Sequence, residues 1–232
     1  EFHGQARTTK ADGDGAWSVS LEPVAAGGPF EMVVTGKNTL TFKDVLVGEV
    51  WVCSGQSNMQ WSVGSSTHAD LEIAAANYPN IRLISVPQVG TQEPQKDFNG
   101  QWKVCSPETV GPFSAVGYFF GRQLHETLGV PVGLINNAWG GSACEAWIPR
   151  ERLAADPKYK DLLAAWADRE KGYDEAKKKY EDAKAKAKAE GKPGPNPNQD
   201  PDNLMKGNAR PGNIFNGVLL PTIGYGVKGV IW

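Results

Sequence analysis

The sequence predicts an α/β fold in which a parallel sheet stands beside a smaller antiparallel β module. Three near-continuous apolar runs, Val50-Trp51-Val52-Cys53, Ile81 to Val86 and Val132 to Asn137, read as strands buried on both faces. Between them, Leu71 to Ala76 and Val116 to Leu128 carry helical apolar spacing, so the order is β-α-β-α-β. Residues 1–47 alternate apolar and polar positions instead, the two-residue period of half-buried strands.

Within 1–47, short strands are expected at Trp17 to Leu21, Phe30 to Val34, Leu40 to Phe42 and Val45 to Val47. Asp12-Gly13-Asp14-Gly15 and Ala26-Gly27-Gly28-Pro29 supply turn chemistry between them. So few strands cannot close a sandwich alone, and the segment reads as a partial β-sandwich-like module. Residues 48–232 form the α/β part, with Val227 to Trp232 expected as a fourth, central strand. Residues 151–190 hold 21 of the chain's 50 charged side chains, which marks a solvated helical insertion extending to about residue 210. Its apolar stripe from Tyr159 through Trp166, Tyr173 and Tyr180 is thin and interrupted at Arg169, so it packs one face or folds into a hairpin. The proline-rich run from Lys192 to Pro201 is a returning loop.

At 232 residues the chain is one large domain or two small ones. Its 24 basic and 26 acidic side chains give a net charge of −2, which leaves no surplus to neutralise a phosphate backbone and excludes nucleic acid as a partner. Mean hydropathy is −0.41, and no apolar run approaches the ~20 residues that a membrane-spanning helix needs. Cys53, Cys105 and Cys144 lack paired CxxC spacing, so buried thiols are expected, with at most one disulfide. Nothing in the residues fixes compartment or oligomeric state.

Chemistry concentrates at two strand exits. Val50 to Cys53 runs into Ser54-Gly55-Gln56-Ser57-Asn58-Met59, which puts Ser57 at the C-terminal rim of the sheet, on the turn before a helix. A hydroxyl there stands near free backbone N–H groups that can stabilise an oxyanion, as a nucleophilic serine requires. Met59 replaces the last glycine of the Gly-x-Ser-x-Gly elbow, and a serine at this place can equally cap a helix. Asn136-Asn137-Ala138-Trp139-Gly140-Gly141-Ser142 leaves a second strand, and its paired glycines let Gly140 offer an N–H to the same oxyanion if the strands are neighbours. The competing reading makes Ser142 the cap of a helix through Trp147. Trp61, Trp139 and Trp147 can stack on a sugar ring, whereas Trp17 and Trp51 read as packing residues. Of the histidines, His3 is terminal, His125 lies on a helix surface, and His68, two residues before Asp70, reads as an exposed loop residue. No metal constellation and no cofactor motif is present.

Asp44 through Gln60 closely resembles the nucleophile block of the sialate O-acetylesterase family of SGNH hydrolases. Gly129 through Ser142, followed by Glu145-Ala146-Trp147, resembles the same family's glycine block, and Tyr118 to Arg122 and Asn216 to Pro221 also fit. The resemblance implies a three-layer, flavodoxin-like α/β core, incomplete here, beside the partial β module. It implies Ser57 as nucleophile, the N–H groups of Ser57 and Gly140 as oxyanion donors, and a substrate site that includes Gln56, Asn58, Trp139 and Gly141. The implied substrate is an acetylated sugar, sialic acid above all, and the implied compartment is periplasmic or secreted. Family members continue, after a strand like Gly229 to Trp232, into Tyr-Gln-Gly-Glu-Ser-Asn and later an Asp-x-x-His that supplies the base. By that comparison the chain is expected to be an internal piece of a longer enzyme, inactive without the downstream histidine. A carbohydrate-binding or structural module without catalysis, and an acetyl esterase acting on xylan, are the alternatives.

Overall fold

The computed structural model describes all 232 residues. An antiparallel hairpin of β1 (Gly27–Thr35) and β2 (Thr39–Val47) precedes the main sheet. The two short strands expected over Leu40 to Val47 are one continuous strand. Asp44, at φ +59, absorbs an irregularity in its register. Trp17 to Leu21 forms no strand. It joins no ladder and leaves Trp17, Val19 and Leu21 exposed, because an alternating pattern fixes a strand only when its apolar face is buried.

The main sheet contains β3 (Glu49–Cys53), β4 (Tyr78–Ser85), β5 (Lys103–Cys105), β6 (Val132–Asn136) and β7 (Gly229–Ile231), in the spatial order β5-β4-β6-β3-β7. Only β5 is antiparallel. The run β6-β3-β7, with the first strand in the middle, is the flavodoxin-type arrangement, and β4 and β5 extend it outside β6. β7, expected at the centre, lies at the edge of these five.

Successive residues of each strand enter opposite cores, which explains the near-continuous apolar runs. Cys53, Leu83 and Leu134 face one core, shared with α2 (Ala69–Ala75), α3 (Pro107–Val110) and α4 (Ala115–Leu128) through Ile73, Val110 and Tyr118. Val52, Ile84 and Ile135 face the other, closed by Ala146, Ile214 and Val218. The result is three layers. Each fully buried aliphatic side chain, such as Leu134 or Ile81, contributes about 2 kcal/mol by leaving water.

The insertion is a helical hairpin. α5 (Arg150–Ala155) leads into α6 (Lys160–Lys171) and α7 (Tyr173–Ala189), broken at Gly172. Trp166 is buried and Arg169 stacks on its ring, so the interruption in the stripe caps the apolar face. The loop after α7 returns through α8 (Asp202–Met205) to a π-helical turn, Phe215–Leu219.

Candidate active site

β3 and β6 pair in parallel from Glu49↔Val132 to Cys53↔Asn136. Their hydrogen bonding continues past the strand ends: Asn137 N–H donates to Cys53 O at 3.1 Å, and Trp139 N–H to Gly55 O at 3.0 Å. The chain leaving β3 then packs Met59 into one core, while the chain leaving β6 packs Trp139 and Ala146 against the other. Two neighbouring strands whose connections depart to opposite faces open a crevice at their C-terminal ends.

Ser57 lies in that crevice. Gly55, at φ +143, makes the turn out of β3 in a conformation that side chains oppose. α1 (Ser57–Gln60) follows as a single helical turn with Gln56 at the N-cap. Ser57 is therefore not the cap. It is the first helical residue, exposed, and its hydroxyl has no hydrogen-bond partner.

Gly140 stands directly opposite. A Cβ at position 140 would lie 3.1 Å from Ser57 Oγ and 2.6 Å from Gln60 Oε1, so only glycine brings the backbone this near the hydroxyl. The Gly140 N–H, expected from the sequence as an oxyanion donor, donates here to Gln60 Oε1. On its other side, Gly140 O accepts from Asn208 Nδ2 at 2.8 Å.

The remaining expected site residues divide by what they touch. Gln56 is exposed, but its Nε2 donates to Ser142 O and ties the two loops together. Asn58 is exposed with its amide uncommitted, and Gly141 is exposed at φ +70. Trp139 is half-buried against the second core. Trp61 is exposed one turn beyond Ser57, its Nε1 bonded to Ser65 O at 3.1 Å. Trp147 donates to Ser142 Oγ at 2.9 Å and meets Trp232 edge to face at 5.3 Å. Ser142 caps nothing, since Ala143 takes the N-cap of the 3-10 turn Cys144–Trp147.

No histidine of the chain bonds to Ser57. His125 Nδ1 pairs with Val130 O at 2.6 Å, His3 packs 4.6 Å from the Phe30 ring, and His68 sits at φ +56 before α2 without a side-chain cap bond. Two of the thiols are buried away from Ser57. Burial pushes Cys53 up to about 12 and Cys105 up to about 11, well above ordinary thiols. All three cysteines are free, and Cys144, against expectation, is exposed.

Residues 47–186 match a family model described as carbohydrate esterase, sialic acid-specific acetylesterase. The chain belongs to this esterase family. Among the family's named proteins, sialate O-acetylesterase of Rattus norvegicus is 39% identical over 153 residues, covering 60% of this chain and 28% of the relative. The Homo sapiens protein of the same name is 38% identical over 162 residues, covering 64% and 31%. The crystal structure of a novel carbohydrate acetylesterase from Xanthomonas citri is similar over the whole chain and 43% of its own length, with 34% identity and a TM-score of 0.73. The chain thus spans under a third of the curated relatives it matches. Two contacts at this crevice were not read from the sequence. Gln60 could have been suspected, lying one turn from Ser57, but Asn208 is separated from Gly140 by 68 positions and lies in a run, Lys206 to Gly212, without periodicity or a motif.

Proposed function

We propose that the intact protein is a carbohydrate esterase that removes O-acetyl groups from sugars, sialic acids first among them, through an acyl-enzyme on Ser57. What carries the reading is the closeness of Ser57 and Gly140: an unpartnered hydroxyl and a glycine backbone that leaves no room for a side chain between them, on adjoining loops at the C-terminal rim. Ser57 Oγ attacks the acetyl carbonyl carbon as a base takes its proton. The charge on the carbonyl oxygen is received by the N–H groups of Ser57 and Gly140, the latter once Gln60 turns aside. A donor so placed supplies about 3 kcal/mol in the transition state. The intermediate collapses, the sugar oxygen leaves with the proton the base returns, and water then cleaves acetyl-Ser57 to acetate. None of the three histidines contacts Ser57 here, so the base is assigned to no residue described above.

On the alcohol side, Asn58 and Gly141 are free to face a polar ring, and Trp61 and Trp139 offer faces to stack on it. Gln56 then acts by tying the loops. The test is a fluorophosphonate applied to the intact protein, with acetate release measured from acetylated sialic acids and acetylated xylan. Labelling that Ser57→Ala abolishes, with faster release from sialic acids, is the expected result. No adduct in folded protein would favour a binding module, and equal rates on both substrates would undo the sialate preference.

A further inference from the structure

The charged insertion reaches the site. Glu170 on α6 receives both guanidinium nitrogens of Arg150, at 2.7 and 3.2 Å, and Arg210 Nε at 2.9 Å. These groups are only 15 to 29% exposed. Burial opposes the Glu170 charge, but hydrogen bonds from the two arginines outweigh it and hold the carboxyl below its ordinary range. Asn213, fully buried, donates to Met205 O at 2.9 Å and Gly207 O at 2.8 Å, and Gln92 donates to Asn213 Oδ1 at 2.6 Å. The segment 205–213 is thus held along its length, and it presents Asn208 to the glycine loop.

Asn208 grips that loop twice: its Nδ2 donates to Gly140 O at 2.8 Å, and its own carbonyl accepts Ala143 N–H at 3.0 Å. A Gly-Gly loop has more backbone freedom to lose than any other pair. On the near side of Gly140 it is held by Trp139 N–H on Gly55 O, and on the far side by Asn208. Together these contacts set the direction of the Gly140 N–H relative to Ser57.

We propose that Asn208 is a positioning residue for the Gly140 oxyanion donor, and that the charged insertion serves catalysis by bracing Asn208 through the Arg150–Glu170–Arg210 cluster. This rests on the esterase reading above. Asn208 touches no substrate. It limits the directions that Gly140 N–H can take, and misdirection costs transition-state stabilisation more than substrate binding.

The experiment uses the intact protein. Asn208→Asp keeps shape and volume but turns an acceptor toward Gly140 O. It is expected to lower kcat about 10- to 100-fold with KM within about twofold, and to slow fluorophosphonate labelling in parallel. Glu170→Ala, which leaves the glycine loop untouched, is expected to lower kcat in the same direction by a few-fold. A folded Asn208→Asp protein with kcat within twofold of the parent overturns the proposal, as does a fall in kcat accompanied by an equal rise in KM. If Asn208→Asp fails to fold, unchanged kcat in Glu170→Ala overturns the bracing role. Ser57→Ala separates the two readings: labelling that survives it removes the esterase mechanism, whereas labelling that it abolishes while Asn208→Asp behaves as parent removes this inference alone.

Discussion

The Gly140 N–H donates to Gln60 Oε1, so the backbone N–H of the glycine that faces Ser57 is already occupied by a side chain from the helical turn that Ser57 begins. An ester carbonyl needing that N–H must displace Gln60, and the cost is a population-weighted penalty on binding. Because Gln60 is exposed and one neutral hydrogen bond nets little against water, Gln60→Ala should lower KM about 2- to 10-fold with kcat held or raised. Gln60→Glu should do the reverse, since a carboxylate grips the N–H harder and repels the developing oxyanion. Initial rates with an acetyl ester across a concentration series measure both.

Gly140→Ala tests the close approach itself. The added methyl would fall 2.6 Å from Gln60 Oε1 and 3.1 Å from Ser57 Oγ. Gln60, a flexible exposed side chain, can move away, but the Ser57 hydroxyl must also give by a few tenths of an ångström or rotate, which moves the nucleophile itself. Loss of aligned geometry at one oxyanion donor predicts a fall in kcat of about 100-fold or more. The melting temperature should hardly change, because Gly140 lies on the rim and not in either core.

These two residues also show what the sequence could and could not convey. β3 and β6 were legible because a strand buried on both faces must be apolar at every position, and Ser57 and Gly140 were placed correctly at their exits by the polar turn that follows each run. Trp17 to Leu21 was misread because alternation suggests a half-buried face, whereas here the apolar side chains stay exposed and the segment pairs with no strand. β5, three residues long, offers too short a pattern to see. Asn208 was invisible for another reason: its contact with Gly140 depends on where the folded insertion returns, which no local periodicity encodes.

Acid should loosen the return of the insertion before it melts the sheet. Asp202 is held down to about 2 by the hydroxyl of Tyr173, then by Lys206, with Lys177 adding to both. Asp200 is lowered too, by the Asp202 backbone N–H and Lys177. An unfolded aspartate titrates near ~3.9, so between that value and about 2 the folded state binds fewer protons than the unfolded one. Stability is therefore complete above the upper value and declines as pH falls through the window. Hydrogen exchange of residues 196–206 should accelerate as pH is lowered from 4.5 to 2.5, after correction for intrinsic rates. In Asp202→Asn that pH dependence should flatten, and an unchanged slope would show that the cluster does not carry it.

Thiol chemistry should distinguish the three cysteines cleanly. Cys53 and Cys105 are fully buried on the first core, and burial holds their thiols at about 12 and about 11. At pH 8 each is therefore protonated as well as inaccessible, and a thiolate is the species that reacts. Cys144 is exposed on the 3-10 turn that follows the glycine loop. Iodoacetamide should therefore alkylate one thiol per folded chain, located by mass spectrometry at Cys144, with the other two reacting only after denaturation. Because Ala143 N–H is bonded to Asn208 O, the label sits one residue beyond the loop's far anchor. Modified protein should keep its Ser57 labelling rate within about twofold if that bond shields Gly140 from events at Cys144, since removing such a bond outright is expected to cost more than that.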